Sequence, residues 1–254
     1  MSLVSIERED HLGWVFMNRP DKYNALNTQL MRELIHALDE LERDEKIKII
    51  VLSGYGKVFS SGADLLEIAS KQSPEEVEEI FSVLRELFLR LMSLSKPLVI
   101  ALNGDAYGGG AEMIWAGDIV VAVEDARIGW VEARWGLVPP ALTTIGLTQL
   151  GFAKAAMIAM SSGVVSAKEL YEAGVVSRLV KRENLRDEVR ALTRSILENN
   201  SYEALLSIRK ILRSTKTKLL DELGLSELMR LSRSSELIKR AKNFIEKKEL
   251  PKYL

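Results

Sequence analysis

The chain predicts an α/β fold: a parallel sheet with crossover helices over residues 1–183, then a helical C-terminal region over 184–254. Three observations carry this. Ile47–Leu52 (interrupted only by Lys48), Pro97–Leu102 and Ile119–Val123 are apolar runs rich in Ile, Val and Leu without sustained polar alternation, the pattern of strands buried on both faces. Helical patterns separate these runs, and strand–helix alternation builds a parallel sheet. From Asn184 onward the strand signals stop, and four amphipathic helical patterns follow one another.

In chain order, Val4–Ile6 and Trp14–Met17 read as short strands flanking a turn at Asp10–Gly13, and Asn18–Lys22 reads as a loop. Thr28 caps a helix running to about Arg43, with Leu30, Leu34, Leu38 and Leu41 on one face and His36 toward solvent. Ser53–Asp64, rich in Gly and Ser, reads as a loop. Ser73-Pro74-Glu75-Glu76 starts a helix reaching Leu94, because Ser caps and Pro is pre-organised for the first turn. After Gly108-Gly109-Gly110 a helix runs through about Ala116. Helical patterns near 143–161 and 166–173 precede a strand at Val176–Val180. The C-terminal helices are expected at Leu185–Glu198, Tyr202–Arg213, Leu219–Leu231 and Ser235–Lys247, as a cap on the first region or an oligomer contact.

Composition narrows the function. A net charge of −1 gives no argument for nucleic-acid or membrane attraction, and no apolar run is long enough to span a bilayer. Without cysteine there is no disulfide, thiolate nucleophile or thiolate metal site, and His11 and His36 alone make a zinc site or a Ser-His-Asp triad hard to build. No metal is expected. The N-terminus reads as a strand rather than a signal peptide, which makes the cytoplasm the expected compartment.

Two acids stand out against their surroundings. Glu112 follows the three glycines and precedes Met113-Ile114-Trp115, and Glu132 ends the apolar stretch Ile128–Val131. A carboxylate is costly to bury unless it is paired or used, so two of them suggest proton transfer. Glycine-bearing loops follow two of the buried runs, at Phe59–Asp64 and Asn103–Gly110. A helix beginning at Gly109 or Gly110 would direct free N–H groups outward, and two such groups aimed at one carbonyl oxygen make an oxyanion hole. The plainer reading is that these glycines only make tight turns. Gly54-Tyr55-Gly56-Lys57 lacks the spacing of a phosphate loop, and no Gly-x-Ser-x-Gly elbow is present.

Taken together, the segments resemble the crotonase family, the enoyl-CoA hydratase/isomerase superfamily. The matches run in order: Asn18-Arg19-Pro20-Asp21-Lys22-Tyr23-Asn24-Ala25-Leu26, Phe59–Leu65, Lys96-Pro97 through Gly108-Gly109-Gly110-Ala111-Glu112, Asp118, Glu132 with Gly136-Leu137-Val138-Pro139, and Phe244-Ile245-Glu246-Lys247-Lys248. The resemblance implies a βαβ spiral core, a trimer or dimer of trimers, and an acyl-CoA thioester substrate whose coenzyme A belongs to the substrate, with no separate cofactor. It implies that the N–H groups of Ala63 and Gly109 hold the thioester oxygen. Lys22–Ala25 with Ala63, Asp64, Leu65 and Leu66 would line the coenzyme A pocket beside Gly108. Lys247 or Lys248 would meet a phosphate of coenzyme A, of this subunit or of a neighbouring one, or sit at a solvated helix end. Glu112 and Glu132 fall on the two glutamates of the hydratases, which add water to a 2-enoyl thioester, with Glu112 as base on the water and Glu132 as acid toward Cα.

The pattern also breaks. Pro140 stands where many hydratases have a glycine whose N–H helps place the water, and Ala141–Gly146 replaces the usual glycine-rich run. This resembles the branch acting on branched or carboxylated acyl groups. Trp130 and Trp135 bracket Glu132 and either pack in the core or narrow the acyl pocket, and Lys239-Arg240 replaces a common Glu-Gly. Three readings follow: an enoyl-CoA hydratase; an isomerase or another hydrolase or lyase of CoA thioesters; and a non-catalytic RNA-binding or scaffolding relative.

Overall fold

The computed structural model describes residues 2–251. Among these residues ten strands make two sheets: β1 Val4–Glu9, β2 Leu12–Met17, β3 Ile49–Gly54, β4 Val58–Ser60, β5 Leu98–Leu102, β6 Asp105–Tyr107, β7 Ile119–Val123, β8 Arg127–Gly129, β9 Val164–Ser166 and β10 Arg178–Val180. The larger sheet has the order β1-β2-β3-β5-β7-β10 and the smaller β4-β6-β8-β9. In the larger sheet β1–β2 is antiparallel and every other pair is parallel. Each of β3, β5 and β7 is followed within a few residues by a short strand of the second sheet, so the chain climbs as a spiral. β3 and β5 are buried along their whole length and β7 at all but Ile119, as strands covered on both faces should be, and β2 is buried throughout as well.

The helices are α1 Thr28–Arg43, α2 Leu65–Ser70, α3 Pro74–Ser93, α4 Gly109–Glu112, α5 Leu147–Leu150, α6 Phe152–Ser161, α7 Ala167–Glu172, α8 Leu185–Asn199, α9 Tyr202–Leu219, α10 Ser226–Ser232 and α11 Ser235–Lys247. Helix α1 buries Leu30, Leu34, Leu38 and Leu41, the expected stripe, and His36 is exposed. Its cap is Asn27, whose side chain accepts from Leu30 N at 2.9 Å, while the N–H of Thr28, the expected cap, goes to Glu67 at 2.8 Å. Helix α3 starts as expected, with Ser73 accepting from Glu76 N.

Elsewhere the expected boundaries shift. The expected strand from Ile47 begins at Ile49, because the Ile47 N–H closes a turn onto Asp44 O. The expected loop Ser53–Asp64 contains β4, and the second sheet escaped notice because three-residue strands carry no readable period. The helix expected from the glycines to Ala116 becomes a 3₁₀ turn from Met113. The expected helix over 143–161 divides into a π-helical turn Leu142–Gly146, α5 and α6, broken by Gly151 at φ 77°. The two helices expected across 202–231 are α9, a π-helical turn Leu220–Leu225 and α10. No helix among the described residues is long and apolar enough to cross a membrane.

Helix α9 docks with its two arginines inward. Arg209, only 2% exposed, is ion-paired with Asp118 and donates to Leu94 O, and Arg213 donates to Met92 O and Leu94 O. These guanidiniums take the carbonyls at the C-terminal end of α3 that have no partner within their own helix. The same Asp118 accepts the Leu98 N–H at 2.7 Å, tying β5 to the pair. Asp118→Ala leaves the Arg209 charge buried and unpaired, so chemical denaturation should show a loss of about 3–5 kcal/mol. A loss within the range of a surface pair, under about 1 kcal/mol, would contradict this account.

Candidate active site

The site lies where the smaller sheet delivers its loops. β4 and β6 pair in parallel, so the chain segments after them, Ser61–Asp64 and Gly108–Gly110, emerge side by side. Gly108 adopts φ 50° and ψ −128°, a conformation open to glycine, and turns the chain so that α4 begins at Gly109. Among the described residues, neither the Ala63 N–H nor the Gly109 N–H reaches a backbone acceptor. Two free N–H groups on adjacent loops are the elements of an oxyanion hole.

A cavity of about 650 Å³ opens in front of them. Of the residues singled out from the sequence, Lys22, Ala25, Ala63, Asp64, Leu65, Leu66, Gly108, Gly109, Glu112, Glu132, Trp135 and Pro140 all line it. The loop carrying Lys22 and Ala25 is fixed by buried Asn24, whose side chain donates to Tyr55 O at 3.0 Å and Val58 O at 2.9 Å and accepts from Arg19 N at 2.9 Å. Asp64 has structural duties on that wall. It caps α2 through Leu66 N at 2.9 Å and pairs with Arg19 at 2.5 Å.

Three of the residues singled out do not line this cavity. Trp130 is fully buried behind the acids, its ring 5.6 Å from that of Trp115, and it does not line the cavity. Lys247 and Lys248 are exposed and off the cavity wall, because α11 turns Phe244 and Ile245 inward and ends at Lys248 in a left-handed conformation. Conversely, the sequence reading passed over an apolar wall from the C-terminal region, Leu228, Leu237, Phe244, Ile245 and Leu250, facing Phe81, Leu84 and Phe88 of α3. Phe244 meets Trp135 edge-on at 5.4 Å. The amphipathic stripe of α11 was the available signal, but its partner surface is set by tertiary structure.

The two glutamates are buried and differently served. Glu112 accepts the N–H groups of Ala141 and of Leu142, the latter at 3.1 Å. These are free because the chain enters a helical turn there, directly after Pro139-Pro140. Pro140 thus lacks an N–H, but the next two residues supply theirs. Among the described residues no other residue donates to either carboxyl oxygen of Glu132, and only its own N–H dipole favours its carboxylate. Burial raises Glu112 well above the usual carboxylate range, the charge of Glu132 raises it further, and the two N–H bonds oppose the rise. The Trp130 N–H makes no hydrogen bond, although its dipole also favours the Glu112 carboxylate. Burial pushes Glu132 up to about 8. The pair is therefore built to hold a proton at neutral pH.

The sign of the stability effect follows. Glu132 binds its proton more tightly folded than unfolded, so its contribution declines as pH rises from its ordinary 4.5 toward about 8. Glu132→Gln removes that decline. Thermal melts should show the variant gaining stability relative to the wild type between pH 5 and pH 8, and a pH-independent difference would contradict the assignment.

Comparison with known proteins agrees with this geometry. The family model for Enoyl-CoA hydratase/isomerase matches residues 7–251. A putative enoyl-CoA hydratase of Thermus thermophilus is 35% identical over 199 residues, 78% of this chain and 78% of that protein. The 2,3-dehydroadipyl-CoA hydratase of Escherichia coli is 34% identical over 178 residues, 70% of this chain and 69% of that protein. The crystal structure of an enoyl-CoA hydratase from Bacillus halodurans superposes with a TM-score of 0.85 at 24% identity, over 95% of this chain and 99% of that one. The chain belongs to the enoyl-CoA hydratase/isomerase family and has the crotonase-like spiral fold that its motifs implied.

Proposed function

We propose that the protein is an enoyl-CoA hydratase that adds water across the double bond of a 2-enoyl-CoA. One observation carries the reading: two buried glutamates, only one of them served by hydrogen-bond donors, share a cavity with two free N–H groups. The Ala63 and Gly109 N–H groups hold the thioester oxygen. Glu112, favoured as the carboxylate by its two backbone donors, takes a proton from water as the water oxygen bonds to Cβ. The π electrons move toward the thioester, and the resulting enolate oxygen rests on the two N–H groups. Glu132, without donors and held protonated by burial, gives its proton to Cα. The electrophilic pull comes from the oxyanion donors, and coenzyme A arrives with the substrate.

The walls suit an aliphatic acyl chain, with Arg134 contributing a cation. Its presence keeps a carboxylated chain of the kind named in the Escherichia coli relative within the panel to be tested. Exposed apolar faces support a homotrimer or homohexamer. Helix α9 turns Ile208, Ile211 and Leu212 outward while its arginines go in, and α6 exposes Phe152, Met157 and Met160.

Purified protein assayed with aliphatic and carboxylated 2-enoyl-CoAs should hydrate at least one, with Glu112→Gln and Glu132→Gln each lowering kcat by about 10²-fold or more. Activity unchanged in Glu112→Gln would overturn the reading. Cα deuterium exchange without net hydration would favour an isomerase. Light scattering should give three or six times the 28.5 kDa chain mass, and a monomer would contradict the assembly.

A further inference from the structure

Two π-helical turns far apart in sequence, Leu142–Gly146 and Leu220–Leu225, pack against each other beside Glu112. Such turns inside helical segments often mark functional positions. At the contact Gly224 is buried, and a Cβ placed there would lie 2.5 Å from Pro140 O, 3.0 Å from its carbonyl carbon and 3.1 Å from its Cα. All three are backbone atoms, which cannot rotate aside. Gly224 does not have a positive φ, so conformational freedom does not explain the glycine, and alanine would otherwise favour the helix. The close approach does explain it.

The Pro140 carbonyl and the Ala141 N–H belong to one planar peptide. Its oxygen meets Gly224 and accepts the Thr144 hydroxyl at 2.7 Å. Its N–H donates to Glu112, and the next N–H, from Leu142, donates to the other carboxylate oxygen. A displacement at the oxygen tilts the plate and turns the donor away. We propose that Gly224 is a positioning residue for Glu112: its lack of a side chain lets the C-terminal region seat on the Pro140–Ala141 peptide and hold two N–H groups on the carboxylate.

The kinetic part of the test rests on the hydratase reading, in which Glu112 must be ionised. Glu132 is the titratable group acting on Glu112 across the site; Asp21, Lys22, Asp64 and Arg134 lie on the cavity wall; and Asp221, on the Leu220–Leu225 turn, is paired with Arg85. None changes in the variants chosen. Losing donors that favour the carboxylate raises its pKa, by about one unit for a displaced N–H. In Gly224→Ala the acid limb of the kcat/KM profile should therefore move up by about one pH unit, with KM changed less than about twofold because the oxyanion donors and cavity mouth are untouched. Thr144→Val, which removes the shorter of the two hydroxyl bonds to the same carbonyl and leaves that of Thr143 at 3.3 Å, adds no bulk; it should move the limb the same way by less, and it carries the test if Gly224→Ala does not fold. Carbon-13 titration of the Glu112 carboxyl reads the same shift without turnover. A moved titration without any hydration would leave the positioning role standing and sink the hydratase reading. Hydration with a lower kcat at every pH, and an unmoved limb and titration in both variants, would make the contact merely structural and overturn the proposal.

Discussion

The site depends on keeping two carboxyl groups dry against one cavity. Burying a charge is expensive, and the fold meets the two cases differently. Glu112 receives two backbone N–H groups, which is how a buried carboxylate is stabilised without a cation. Glu132 receives no donor from another residue, and burial raises it toward the protonated form against its own N–H. The difference between two identical side chains thus comes from backbone placed by distant parts of the chain, and the proposed division into base and acid rests on it.

The rest of the architecture serves that placement. The spiral sends strands from the large sheet directly into short strands of the small one, and the segments after β4 and β6 bring Ala63 and Gly109 together. The C-terminal helices close the apolar side of the cavity and press on the Pro140–Ala141 peptide. Arg209 and Arg213 fasten that region by capping α3, which itself presents Phe81, Leu84 and Phe88 to the cavity. Catalytic geometry and domain docking are therefore one set of contacts.

Much of this was legible in the sequence, for identifiable reasons. The apolar runs Ile47–Leu52 and Pro97–Leu102 pointed to the strands found at Ile49–Gly54 and Leu98–Leu102, because a strand buried on both faces has little room for polar residues. Glu112 and Glu132 stood out because an acid in an apolar run contradicts its surroundings. Ala63 and Gly109 came through the family resemblance, since an N–H donor has no side chain to advertise it. The Ala141 and Leu142 donors were missed: Pro140 drew attention to the N–H that is lacking, while the helix entry that frees the next two is local geometry. Trp130 was ambiguous because a large aromatic beside a site can face either way, and its full burial, with its ring tilted against Trp115, settles it as core. Lys247 and Lys248 lie on the exposed end of a helix whose other face does the work.

Neutron diffraction from a crystal held at pH 7 tests the central claim most directly, because it locates the proton within the pair. The account predicts deuterium on the Glu132 carboxyl and none on Glu112, with the Ala141 and Leu142 N–D groups directed at the Glu112 oxygens. Deuterium on Glu112, on both carboxyls or on neither would contradict it.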